Sequence, residues 1–118
     1  MTSAKEANII LIMEQVTKEV IRATRLFAPM NGPHEAAAVI QEEFDEFWDE
    51  VKKYNLNKGR DTRPAMREEL IQLAAMAIRA VTDVIDKPDH KMILAPLPKG
   101  VEDTPEIRAQ LQSLLENF

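Results

Sequence analysis

The distribution of proline and glycine is the sequence feature that most constrains the fold of this chain. The chain contains three glycines and seven prolines, and most of them lie between stretches of helical periodicity rather than inside them. Proline interrupts a helix because it has no amide hydrogen to donate, and glycine does so because ordering it costs more entropy. These positions therefore leave three long stretches free to form helices, followed by a proline-rich segment and a shorter last stretch.

Hydrophobic residues recur at helical spacing in each of the three long stretches. The predicted helices cover residues 3–27, 33–54 and about 63–85. Pro33 and Pro64 fall in the first turn of a predicted helix, where a missing amide hydrogen costs nothing. The third helix is apolar on most sides between Leu70 and Val81, apart from Gln72 and Arg79, so we expect it to be the most buried.

The apolar residues of the second helix follow one another at steps of three and four. This stripe is predicted to pack inward, and it consists of Ala37, Ile40, Phe44, Phe47 and Val51. Trp48 lies beside it and is read first as a core residue, because a lone tryptophan on an amphipathic helix usually packs against neighbouring side chains.

The last third of the chain has a different character. Prolines and a glycine prevent a helix over residues 87–103, and we expect an extended arm there. A last helix is indicated by Thr104 as N-cap and Pro105 at its first position, followed by Ile107, Leu111, Leu114, Leu115 and Phe118. Because 118 residues suffice for one core only, we expect a single domain over residues 1–118, with 86–118 as arm and C-terminal helix.

Composition narrows the classes of function. The chain has no cysteine, which excludes disulfides and thiolate metal sites, and its formal net charge of -5 makes a nucleic acid polymer a poor partner. No secretory signal and no apolar stretch of membrane-spanning length is evident, so we expect a cytoplasmic protein without membrane contact. The excess of carboxylates suits hard divalent cations.

The second predicted helix carries an unusually dense acidic run. Six acids fall within nine positions, namely Glu42, Glu43, Asp45, Glu46, Asp49 and Glu50. Glu43, Glu46 and Glu50 are related by steps of three and four and form one row beside the apolar stripe. That row is expected to border the core, whereas Glu42, Asp45 and Asp49 point farther toward solvent.

The third predicted helix carries an acid, Glu69, about as far from the connection to the second helix as Glu46 is. If the second and third helices pack antiparallel, Glu46 and Glu69 lie at similar distances from the connection between them. Carboxylates brought so close need a cation between them or a raised proton affinity, which is how oxygen-ligand sites for Mg²⁺ or Mn²⁺ are made. The alternative, equally weighted on these residues alone, is a solvated acidic face.

The acidic pattern resembles the MazG-like branch of the all-alpha nucleoside triphosphate pyrophosphohydrolases. That family carries E-E-x-x-E on one helix and E-x-x-D on the next. Here the first reads Glu42-Glu43-Phe44-Asp45-Glu46, and the second reads Glu69-Leu70-Ile71-Gln72 with an amide in place of the last acid. Residues 34–53 and 67–83 are similar to compact bacterial and phage members, so the resemblance covers about half of the chain.

The resemblance implies a fold, an activity and a set of site residues. The implied fold is an antiparallel all-α bundle, associated as a homodimer or homotetramer. The implied reaction is the Mg²⁺- or Mn²⁺-dependent hydrolysis of a nucleoside or deoxynucleoside triphosphate to the monophosphate and pyrophosphate. By matching position, Glu43, Glu46 and Glu69 are metal ligands and Glu42 assists the attacking water as a third catalytic acid beside Glu43 and Glu46. Gln72 occupies the fourth ligand position and brings no charge to it.

Other residues are candidates for contacts to the substrate. They are His34, Trp48, Lys53, Arg67, Arg79 and Asp83. His34 lies next to the start of the second predicted helix, where backbone amides favour phosphate, and the cationic side chains can pair with phosphate oxygens. For each of them a structural or solvated role is the commoner one.

Two alternatives to the leading hypothesis remain. One is a non-catalytic helical interaction module that retains the scaffold, and the other is hydrolysis of a non-canonical or damaged nucleotide. Di-iron chemistry of the ferritin-like kind is disfavoured because neither histidine follows a glutamate by three positions.

Overall fold

The computed structural model describes residues 3–86 and the isolated positions 105 and 109. It contains helices α1 (Ala4–Leu26), α2 (Pro33–Lys53) and α3 (Arg63–Ala80), and a single π-helical turn (Val81–Ile85) continues α3. A short 3-10 turn (Leu56–Lys58) lies between α2 and α3. Within the described residues the chain has no strand beyond an isolated bridge between Asn55 and Arg60, so the predicted all-α class is confirmed there.

Local chemistry accounts for the helix ends. The hydroxyl of Ser3 accepts a hydrogen bond of 3.1 Å from the backbone N–H of Glu6 and so caps α1. Pro33 and Pro64 occupy first turns, as expected. Gly59 has a φ of 71°, a left-handed conformation that closes the 3-10 turn and that glycine adopts without steric cost.

The three helices run up, down and up, with α3 packed against both of the others. The Thr62 hydroxyl donates a 2.7 Å hydrogen bond to the carbonyl of Glu50, which places the start of α3 beside the end of α2 and makes the two antiparallel. The Arg79 guanidinium donates to the carbonyl of Ala28, so α1 and α3 end together and run parallel.

The core is small and lies where α3 meets its two neighbours. It consists of Ala23, Met30, Ala36, Ala75, Met76 and Val84. Most of these side chains are small, which lets helix backbones approach closely. The prediction that α3 is the most buried helix is confirmed within residues 3–86, since it contributes Ala75, Met76 and Arg79 to the buried set.

The predicted inward face of α2 is partly wrong. The half-buried residues of the predicted stripe are Ile40, Phe47 and Val51. Phe44 is exposed, and Trp48 retains 49% of its accessible surface. Ala37 is exposed as well. The reason is that, among the described elements, α3 is the main neighbour of α2, and one neighbouring helix covers a narrower stripe than the apolar face that α2 offers.

Several predictions concern the end of the chain. The predicted arm, residues 87–103, lies outside the described residues, as does the predicted last helix except for Pro105 and Ala109, which are helical. Among the helices within residues 3–86, none combines the length and apolar character that crossing a membrane demands.

Candidate metal centre

Helices α2 and α3 bring three glutamates together. Glu43 and Glu46 lie one turn apart on α2, and the antiparallel packing of α3 places Glu69 opposite them. One carboxylate oxygen from each of Glu43, Glu46 and Glu69 lies within 4.8 Å of the other two. These three residues, called the carboxylate cluster below, are the three carboxylates that the MazG-like resemblance implies as metal ligands.

Two oxygens of the carboxylate cluster are buried without a partner. The Oε2 atoms of Glu43 and Glu69 are inaccessible to water and accept no hydrogen bond from any residue that the structure describes. Glu46 is the most exposed of the three. A buried anionic oxygen without a donor is costly, and a divalent cation placed among the three carboxylates offsets that cost. The arrangement therefore fits a hard cation such as Mg²⁺ or Mn²⁺.

The pKa values of Glu43 and Glu69 are both raised, as expected for carboxyl groups that are close together and partly buried. Burial raises the pKa of Glu69 to about 7, and hydrogen bonding with Glu46 and the charges of Glu46 and Glu43 add to the effect. Burial also raises the pKa of Glu43, together with the charges of Glu46 and Glu42, while hydrogen bonding with Glu69 acts in the opposite direction. The raised pKa values of Glu43 and Glu69 mean that these two carboxyl groups hold protons that a cation can displace.

The first helix contributes a residue that the sequence reasoning missed. Glu19 lies on the row of α1 that faces α3, between the half-buried Val16 and the buried Ala23, and its side chain is only 13% exposed. Its carboxylate accepts two hydrogen bonds from Arg22, of 2.6 and 2.9 Å. The hydrogen bonds from Arg22 and, to a lesser degree, from Gln72 lower the pKa of Glu19. A single acid within the inward row of α1 was the signal that could have identified it.

A groove lies between α1 and α3, and it is lined by the residues on either side of Glu69 along α3 but by none of the three carboxylates of the cluster. It has a volume of about 540 Å³ and is lined by Gln15, Lys18, Glu19, Arg22, Pro64, Arg67, Glu68, Ile71 and Gln72. Gln72, one turn after Glu69, is half-buried there. The groove combines cationic side chains with an opening toward solvent, which suits a phosphorylated ligand.

The remaining predicted residues near α2 lie around the cluster rather than in it. Glu42 is exposed, and its charge acts on Glu43. His34 is exposed in the first turn of α2, and the Lys53 ammonium lies 3.3 Å from the Glu50 carboxylate at the other end of the helix. Of the predicted substrate contacts, Arg67 is the one that lines the groove.

Arg79 and Asp83 are not brought to the cluster. Arg79 is 5% exposed, donates to the Ala28 carbonyl at 3.1 Å, and lies 3.6 Å from the Asp83 carboxylate. That carboxylate also accepts a 3.1 Å hydrogen bond from the backbone N–H of Met30. Ten residues of helix separate Arg79 from Glu69, about 15 Å along the axis. The pair fastens the α1–α2 connection to the end of α3, which is a structural role.

Comparison with known protein families, with curated proteins and with solved structures finds no match to this chain.

Proposed function

We propose that this chain is a metal-dependent hydrolase that converts a nucleoside or deoxynucleoside triphosphate to the monophosphate and pyrophosphate. The observation that carries the proposal is the carboxylate cluster, in which three oxygens from two helices lie within 4.8 Å of one another. Two buried, unpartnered oxygens in the same cluster support the presence of a cation. The resemblance of the two acidic motifs to the MazG-like pattern supports the choice of substrate.

The side chains of the proposed site have separate roles in binding the metal, accepting a proton and binding the phosphates. Glu43, Glu46 and Glu69 would bind Mg²⁺ or Mn²⁺. Gln72, half-buried one turn after Glu69, would offer its carbonyl oxygen as a neutral ligand. A cation held by these residues would offset charge on the phosphoryl oxygens and would promote ionisation of water. Glu42, exposed beside Glu43, accepts the proton of the water that attacks the alpha phosphorus, and pyrophosphate leaves. Arg67, in the groove between α1 and α3, pairs with phosphate oxygens.

The proposed enzyme is a homodimer or homotetramer. Large hydrophobic side chains are exposed on α1 and α2, namely Ile9, Ile10, Leu11, Met13, Leu26, Phe44 and Trp48. Exposed apolar surface of this extent usually marks a surface of association.

Pyrophosphate release from a panel of canonical and modified nucleoside triphosphates, with Mn²⁺ present, tests the proposal. The wild-type protein should release pyrophosphate from at least one nucleotide, and Glu46→Ala should abolish the release because it removes a ligand. Asp49→Ala is the matched control, since Asp49 lies one turn farther along α2 and pairs with Lys52 at the surface. Absence of turnover with every nucleotide at every Mn²⁺ concentration would contradict the proposal.

The competing function is a helical interaction module without turnover. The neutral Gln72 in the fourth ligand position and the exposed apolar residues of α1 and α2 favour it. Calorimetric titration with Mn²⁺ separates the two, because a module has no need to bind the ion. Uptake that is lost in Glu46→Ala supports the hydrolase, and no uptake by the wild-type protein supports the module.

A further inference from the structure

Glu19 is a charged residue in a position that ordinarily holds an apolar one. It shares the inward row of α1 with Val16 and Ala23, and 13% of its side chain is exposed. Withdrawing a carboxylate from water is unfavourable unless neighbouring groups pair with its charge or donate hydrogen bonds to it. The groups that surround Glu19 therefore indicate which interaction its negative charge serves.

Two of those surroundings lead toward the carboxylate cluster. Glu19 and Gln72 line the same groove, and a side-chain hydrogen bond from Gln72 is among the causes that lower the pKa of Glu19. The charge of Glu19 also acts on Glu43 and contributes to the rise of its pKa. Glu19 therefore interacts electrostatically with the carboxylate cluster from α1. It does so next to Gln72, the residue that replaces an acid of the family pattern.

The contact with Gln72 has a defined direction. An ionised carboxylate only accepts hydrogen bonds, so the Gln72 amide must offer its NH₂ group to Glu19. The carbonyl oxygen of the same amide is then left available to a cation. Charged partners that hold a ligand's far end fix its orientation and make it more basic.

Arg22 does not cancel this charge. The Arg22 side chain is 52% exposed, whereas that of Glu19 is 13% exposed. Water therefore screens the guanidinium more than the carboxylate, and the pair presents a net negative potential toward the interior.

We propose that Glu19 supplies, from α1, the negative charge that is missing at position 72, and that it positions the Gln72 amide with its carbonyl oxygen free for a divalent cation. Glu19 is a positioning residue that acts through Gln72. The inference rests on the proposed function, because it needs a cation at the carboxylate cluster.

Calorimetric titration of the full chain with Mn²⁺ alone is the test. Glu19→Gln should weaken Mn²⁺ binding by about 10- to 100-fold, the usual cost of losing a residue that holds a ligand in place. Glu19→Asp keeps the charge and should lose much less. The double variant Glu19→Gln/Gln72→Glu moves the charge from α1 to α3 and should recover most of the lost affinity.

Arg22→Gln is the control that separates charge from structure. It breaks the same ion pair as Glu19→Gln, so a purely structural role predicts weaker Mn²⁺ binding in both variants. The proposed role predicts opposite directions, with tighter binding in Arg22→Gln because a positive charge is removed. Thermal unfolding checks that each variant is folded, and if Glu19→Gln is not, Glu19→Asp and Arg22→Gln decide.

Different results overturn different statements. Wild-type affinity in Glu19→Gln, or equal weakening in Glu19→Gln and Arg22→Gln, would refute the role of Glu19 and leave the proposed function standing. Absence of Mn²⁺ binding by the wild-type protein would remove the proposed function and, with it, the basis of this inference.

Discussion

Replacing Glu69 with glutamine should stabilise the metal-free protein, and only at neutral to alkaline pH. The pKa of Glu69 rises from 4.5 to about 7 on folding, with burial as the largest cause. The folded state therefore holds this proton more tightly than the unfolded state does. Between about pH 4.5 and pH 7 the folded state binds more protons than the unfolded one, so the free energy of unfolding falls as the pH rises.

The magnitude follows from the size of the change in proton affinity. A rise from 4.5 to about 7 corresponds to roughly 3.5 kcal/mol, at about 1.4 kcal/mol for each factor of ten. Because the side chain is only partly buried, solvent screening reduces this to about 1–2 kcal/mol. Glu69→Gln removes the charge at nearly constant volume, so the variant should gain that amount at pH 8. A domain of this size then unfolds roughly 5–10 °C higher.

Thermal unfolding followed by circular dichroism, with a chelator present, measures the effect at pH 4.5 and pH 8. Glu68→Gln is the matched control, since it makes the same chemical change one position away at an exposed site of α3 and removes only the smallest of the contributions that raise the pKa of Glu69. The variant Glu69→Gln should melt well above the wild type at pH 8 and close to it at pH 4.5. An equal gain at both pH values, or no gain at pH 8, would refute the crowding of the three carboxylates.

Two further predictions concern protons and buried charge. The affinity for Mn²⁺ should fall as the pH drops below about 7, because a proton on Glu69 competes with the ion. Calorimetric titration across this pH range measures the affinity, and an affinity that does not change with pH would contradict the prediction. Asp83→Asn should lower the free energy of unfolding by about 2 kcal/mol, because it leaves the buried Arg79 without its anionic partner. Asp61→Asn, which breaks the exposed contact with Arg63, should leave the urea midpoint unchanged, and equal effects of the two substitutions would contradict the assignment.

The sequence alone determined the helices and much of the candidate centre. The positions of proline and glycine predicted the ends of α1, α2 and α3 close to where the structure has them. This works because a residue that cannot continue a helix affects only the backbone of its neighbours in the chain. The steps of three and four that place Glu43 beside Glu46 are also a property of one helix. The level of Glu69 followed from helix rise and a short connection, both of which can be counted along the chain.

Tertiary structure alone decided which faces are covered. Phe44 and Trp48 were predicted to lie inward, yet both are exposed, because the coverage of α2 depends on how α3 crosses it. Arg79 was a candidate for phosphate binding, and its burial against the α1–α2 connection follows from parallel packing of α1 and α3. Glu19 became part of the candidate site for the same reason. Periodicity within a helix is set by neighbouring residues, whereas contacts between helices join residues far apart in the chain, and only the packed structure brings those together.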